Sequence, residues 1–205
     1  MKSSTEEILP IIGTAMGGGS YAGRVVIDGK PFALIVAPKA EGQLDPSIWI
    51  ARYKAVPGAR SYCDGLANTE AMAAAGSELA KRARGLSIGG HADWYLPSQD
   101  ELELCYRNLK PSTGKNRCWA RSGINLNSLP QGAPYTPDSP VQTLAEAFRE
   151  GAYEAFDLDW YWTSTQHASD SECAWGQHFN DGYQGSDHKS LKFRARAVRR
   201  IVIGG

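Results

Sequence analysis

The stretch 91-HADWYLPSQDELELCYRNL-109 sets an extended aromatic segment directly against a helix start. Proline disfavours helical backbone at the residue before it, so Leu96, ahead of Pro97, is extended. Ser98 can cap the helix. Glu101, three residues on, completes the reciprocal pattern in which hydroxyl and carboxylate each satisfy an N–H of the first turn. Leu102, Cys105, Tyr106 and Leu109 then share one face at helical spacing, and Lys110-Pro111 ends the helix. Trp94 and Leu96 are expected to pack beneath it. Glu101 and Glu103 are two apart on that helix and do not face each other, so they form no catalytic carboxylate pair.

Upstream, 70-EAMAAAGSELAKRARGL-86 predicts a single helix, with Asn68 or Thr69 as cap and Met72, Leu79 and Ala83 near helical spacing. Arg82 and Arg84 suit its last turn and Gly85 its end. In 21-YAGRVVIDGKPFALIVAPK-39, Asp28-Gly29 between two β-branched runs predicts a hairpin. Ile48, Trp49 and Ile50 suggest a further short strand. Residues 1–20, ending in Gly17-Gly18-Gly19-Ser20, read as an arm for attachment or oligomer contacts, with the folded domain at 21–205. GGGSYAG has no lysine, so it is not a phosphate-cradling loop.

Downstream, residues 111–141 hold Pro111, Pro130, Pro134, Pro137 and Pro140 in a long irregular excursion, the kind of loop that is usually functional or mobile. Residues 142–151 predict a short helix ended by Gly151. Tyr161–Thr165 and Ala174–Phe179 predict strands, followed by a turn at Asn180-Asp181-Gly182. In 191-LKFRARAVRRIVI-203, Leu191, Phe193, Ala195 and Ala197 alternate with Lys192, Arg194 and Arg196 until the parity breaks at Val198. A bulge or a strand buried on both faces explains such a break.

The 205 residues suffice for one large domain or two small ones. Lys+Arg and Asp+Glu balance at 22 each, so no global field favours nucleic acid or an anionic membrane. No apolar run approaches the ~20 residues of a membrane span. The N-terminal stretch has Glu6 and Glu7 and lacks the basic start and unbroken apolar run of a secretory signal. Synthesis in a bacterial cytoplasm is therefore expected. Cys63, Cys105, Cys118 and Cys173 form no C-x-x-C pair. Unpaired thiols are the expectation, although three disulfide connectivities are formally open.

Trp94, Trp162 and Trp175 are expected in the core. Trp119, Tyr135, Trp160 and Tyr183 lie in or beside loops, where anchoring and ligand contact both fit. With Asn180 and Asp181 they make up the expected ligand-binding set. His167, Cys173, His178 and His188 have residue types that suit zinc, but their spacings match no compact ligand pair, so neither metal nor cofactor is expected. No Gly-x-Ser-x-Gly elbow or comparable nucleophile context occurs, and no catalytic residue is expected. The basic run Lys189, Lys192, Arg194, Arg196, Arg199 and Arg200 fits a polar sheet face, or arginines paired with acids such as Asp157, Asp159 or Glu172. A phosphate-binding stripe is the alternative.

In order, the motifs Gly89-Gly90-His91-Ala92-Asp93-Trp94-Tyr95-Leu96-Pro97-Ser98, Glu101-Leu102, Tyr161-Trp162-Thr163-Ser164-Thr165, Ala174-Trp175 and Arg196-Ala197-Val198-Arg199-Arg200 resemble the Lcl C-terminal domain family of bacteria and tailed phages, over roughly residues 21 to 203. The resemblance implies an α+β, C-type-lectin-like fold: two main helices flanking small antiparallel sheets, with a long irregular loop region carrying the ligand site. Phe179-Asn180-Asp181 has no Glu-Pro-Asn partner, and one Asn-Asp pair cannot supply the six to eight oxygens calcium takes, so calcium-dependent sugar binding is not expected. The implied function is a non-enzymatic binding module of a virion tail tip or fibre, or an adhesin. It would recognise a host-surface glycan or protein through residues 111–141 and 180–190. Other tail proteins are the expected partners, and the expected assembly is a homo-oligomer, a trimer being favoured. A purely structural virion component and a formylglycine-generating-type enzyme are the alternatives.

Overall fold

The computed structural model describes residues 9–119 and 121–204. Residues 1–8 of the expected arm lie outside them. In chain order the elements are β1 (Ala15–Met16), β2 (Gly19–Ile27), β3 (Lys30–Val36), α1 (Lys39–Gly42), β4 (Gln43–Ser47), α2 (Gly65–Ala74), α3 (Glu78–Arg84), α4 (Gln99–Leu109), β5 (Ser128–Leu129), β6 (Trp160–Gln166), β7 (Cys173–His178), β8 (Gln184–His188), β9 (Phe193–Arg196) and β10 (Val198–Val202). The fold is mixed α+β, richer in strands than in helices. One sheet runs β1-β2-β3-β10, with β5 also on β2; the other runs β4-β9-β6-β7-β8. Every pairing is antiparallel except β6 with β9. No described helix is long and apolar enough to cross a membrane.

The hairpin at Asp28-Gly29 forms as its sequence dictates. Both residues adopt positive φ (50° and 75°), the geometry whose twist matches the flanking strands. The boundary expected between residues 20 and 21 falls inside β2. Gly13 N–H donates to Tyr21 O at 2.8 Å, and Leu9, Ile12 and Met16 pack against buried apolar clusters, so residues 9–20 belong to the folded body.

The run expected as one helix over 70–86 is two. α2 starts earlier, at Gly65, capped by Asp64, whose carboxylate accepts from Ala67 N–H. Asn68 and Thr69 are buried inside it. The break comes at Gly76 (φ +100°), after which the Ser77 hydroxyl donates to Trp49 O at 2.6 Å and its side chain caps α3. The strand expected at Ile48–Ile50 does not form; the neighbouring strand, β4, ends at Ser47. Trp49 itself is buried, donating through its indole to Thr163 O at 2.8 Å. The helix expected at 142–151 reduces to a single 3-10 turn, Glu146–Phe148.

α4 is built as read. Ser98 and Glu101 cap reciprocally, and Leu102, Cys105, Tyr106 and Leu109 are all buried. Tyr95, rather than Trp94 or Leu96, shares the cluster beneath this helix. Trp94 packs with Ala33, Ile35 and Ala197, and Leu96 with Trp49 and Trp162. The two tryptophan-bearing segments meet: Ser164 N–H donates to Pro97 O at 2.8 Å, and Gln99 N–H to Thr165 Oγ1 at 3.0 Å. The parity break at Val198 has a specific cause. The chain leaves one sheet at Arg196 and enters the other at Val198. Ala197 is held between by Gly42 O, which accepts its N–H, and by Ala37 N–H, which donates to its carbonyl, each at 2.9 Å. All four cysteines are unpaired thiols; Cys105 is buried and Cys118 exposed.

Candidate functional site

Gly176 and Gly185 are register partners on β7 and β8. A Cβ on Gly176 would lie 3.3 Å from the Trp160 ring, and one on Gly185 3.0 Å from the Tyr183 ring, so the pair leaves room for aromatic rings to settle on the sheet. Trp160 stacks on Phe193 (centroids 5.2 Å apart) and meets His178 at 5.2 Å and Tyr183 at 5.8 Å. The Arg117 guanidinium sits over the Tyr183 ring at 4.3 Å, and Arg117 N–H donates to Asp181 O at 2.8 Å, tying the excursion to the β7–β8 turn. Asp181 Oδ1 accepts from Tyr183 N–H at 3.1 Å and lies 3.3 Å from His178 Nδ1. Asp159 accepts from Arg194 Nε at 3.1 Å. The result is a half-exposed row of rings edged by carboxylates and guanidinium groups. Such an edge offers polar partners beside apolar plates.

Of the six expected site residues, this face gathers Trp160, Asp181 and Tyr183, with Asn180 exposed on the same turn. Trp119 is 63% exposed, two residues after Arg117. Tyr135 does not belong to any contact surface: it is 5% exposed and packs with Tyr106 in the main core. Arg117 and His178 complete the face; the sequence offered His178 only as a zinc-type residue and gave no sign of Arg117. Their roles come from the pairing of residue 117 with 181 and from the spacing of β7.

The excursion 111–141 is clamped to α4 by buried acids. Asp100 takes Arg121 at 2.6 Å and Asn127 at 2.7 Å. Glu103 takes Arg107 and Tyr135 at 2.9 Å and Asn125 at 2.7 Å. Burial raises both carboxyls above their ordinary pKa, while these donors oppose it. Only parts of the excursion, such as Trp119, Leu126 and Val141, remain available for contact.

The basic run is committed internally except at Lys192, which is exposed. Arg194 pairs with Asp157 and Asp159, the acids named from sequence, and Glu172 enters only through its carbonyl, which accepts Lys189 N–H. Arg196 is fully buried against Glu154 at 2.6 Å, contrary to a solvent-facing stripe. Arg199 forks onto Asp93 at 2.7 and 2.9 Å, and Arg200 reaches Asp64 at 2.8 Å. Lys189 is buried, its Nζ donating to Lys54 O, Gln166 Oε1 and Ser171 O. Guanidinium groups so paired are poor phosphate ligands. Among the described residues, no three His, Cys, Asp or Glu side chains converge as a metal site would require. His167 accepts from Asp170 N–H, and His188 Nδ1 lies 2.6 Å from Ser190 Oγ.

A family model, the Lcl C-terminal domain, matches residues 48–199, which include α2 to α4, the excursion and the aromatic face. No curated protein matches the chain.

Proposed function

The chain belongs to the Lcl C-terminal domain family, and from that premise we propose that it is a non-enzymatic binding module. It recognises a host-surface glycan or protein through the face of Trp160, Asn180, Asp181 and Tyr183, with Trp119 at its border. The proposed fold is C-type-lectin-like. The element order supports this, as does the return of the last strand, β10, beside β3 of the N-terminal hairpin. The proposed setting is the tail tip of a virion, as a homo-oligomer with a trimer favoured, where several weak contacts add through effective concentration.

The observation that carries the reading is the glycine-cleared row of Trp160, His178 and Tyr183 with Arg117 stacked upon it. Aromatic and arginine side chains held in this way are what recognition surfaces use most heavily. Glycan-array and whole-cell binding by wild type, Trp160→Ala and Tyr183→Ala test it. Binding should fall at least about tenfold in each variant with the melting temperature little changed. Undiminished binding by both variants sinks the assignment. Deleting residues 112–140 is a poor test, because it would strip the buried Asp100 and Glu103 of their partners.

A further inference from the structure

A cavity of about 550 Å³ opens between the start of β2 and the turn bearing Tyr153 and Glu154. It shares no lining residue with the aromatic face, and its wall includes Met16, Gly18, Ser20 and Pro38. The glycine run 17–19, unexplained by any loop motif, is here a wall without side chains. Glu154 Oε2 accepts both Lys39 N–H at 2.8 Å and Arg196 NH2 at 2.6 Å. Among the described residues Oε1 has no hydrogen-bond partner. Among the described residues Glu154 is the only charged side chain in the lining, and Arg196, buried behind it, balances its charge.

The charge balance decides the ligand class. A second cation would give up its hydration for a carboxylate already neutralised. An anion would meet the exposed carboxylate oxygen. An uncharged hydroxyl loses little solvation and gains a charge-assisted hydrogen bond. In the same lining Tyr153 stands 78% exposed, a flat apolar plate with a polar tip, and Ser20 adds a hydroxyl. We propose that this cavity is a second binding site, one for an uncharged polyhydroxylated ring of the pyranose type. The ring stacks on Tyr153 and donates a hydroxyl to Glu154 Oε1.

The test is saturation-transfer NMR on the whole chain with glucose, galactose, mannose and N-acetylglucosamine, and with spermidine as the cationic arm. Variants are Tyr153→Ala, Tyr153→Phe and Trp160→Ala. At least one sugar should bind the wild type. Its affinity should drop about tenfold in Y153A, the worth of one aromatic contact, and should survive in Y153F and W160A. Spermidine should not compete. Absence of transfer from every sugar, affinity unchanged in Y153A, or binding by spermidine in place of sugar each overturns the proposal. Loss in W160A but not Y153A assigns the sugar to the aromatic face and likewise overturns it.

Discussion

The phenol of Tyr95 donates to Glu101 Oε1 at 2.7 Å, and both residues are buried. Glu101 Oε2 accepts Ser98 N–H at 2.8 Å and Gly65 N–H at 3.1 Å. One carboxylate therefore joins the cap of α4 to the start of α2. Burial pushes its pKa up from 4.5 to about 7, with the Ser98 and Tyr95 hydrogen bonds and Arg200 opposing. A carboxyl whose pKa is raised by folding contributes most below its unfolded value, and that contribution is lost as pH rises through the folded one. Between pH 4.5 and 7.5 the stability of wild type relative to Glu101→Gln should thus decline, by an amount on the order of a few kcal/mol. Urea denaturation across that range measures it, and a difference independent of pH would refute the assignment.

Arg196 is held by Glu154 at 2.6 Å and by Ala37 O, which accepts its Nε at 2.7 Å. Replacing it with Met leaves Glu154 without its counter-charge. The expected loss is about 1–3 kcal/mol, below the cost of breaking a fully buried pair, because Glu154 keeps solvent access and the Lys39 N–H. The double variant Arg196→Met/Glu154→Gln should recover part of that loss. A double variant no more stable than the single would show that the strand crossing, rather than the charge pair, depends on Arg196.

Tyr135 donates to Glu103 Oε1 at 2.9 Å and accepts from Gln177 Nε2 at 3.2 Å. Tyr135→Phe leaves two buried polar groups short of a partner, at a cost of about 1–3 kcal/mol. Because those bonds clamp the excursion, limited proteolysis should cut Y135F within 111–141 faster than wild type. Equal cleavage rates would mean that the clamp rests on the bonds of Asp100, Asn125 and Arg107 rather than on Tyr135.

The features legible in the sequence were those decided within a few residues. Ser98 with Glu101, and Asp28 with Gly29, carry their geometry in their own chemistry. The Asn180-Asp181-Gly182 turn likewise carries its geometry in its own chemistry, and Asp181 accepts the Tyr183 N–H within it. The rest was settled by distant partners. The alanine-rich run 70–86 carries a local break at Gly76-Ser77 that its alanines masked, and the Ser77 bond to Trp49 across the core fixes the split there. Tyr135 follows Pro134 in a polar stretch, and nothing local shows that Glu103 waits to receive it. Alternation made Arg196 look solvent-facing; the passage of the strand between sheets buries it. Arg117 joins the aromatic face through Asp181 and Tyr183, more than sixty positions away in the chain.

Gly182 and Gly151 separate two costs that a single glycine substitution usually mixes. Both have positive φ, +74° and +84°. A Cβ on Gly151 meets nothing within 4 Å, whereas one on Gly182 would stand 2.4 Å from the buried ring of Tyr106. Gly151→Ala should therefore lose only the left-handed backbone penalty, about 1–2 kcal/mol. Gly182→Ala adds overpacking, about 1–3 kcal/mol more. Tyr106 cannot simply step aside, because its hydroxyl donates to Asn116 Oδ1 at 2.8 Å and its ring lies edge-on to Phe179 at 5.4 Å. The strain should instead displace the turn that carries Asp181 and Tyr183. G182A should accordingly weaken whole-cell binding, while G151A loses stability alone. Equal losses of stability in the two variants would mean that the turn yields without resistance and that Tyr106 does not buttress the aromatic face.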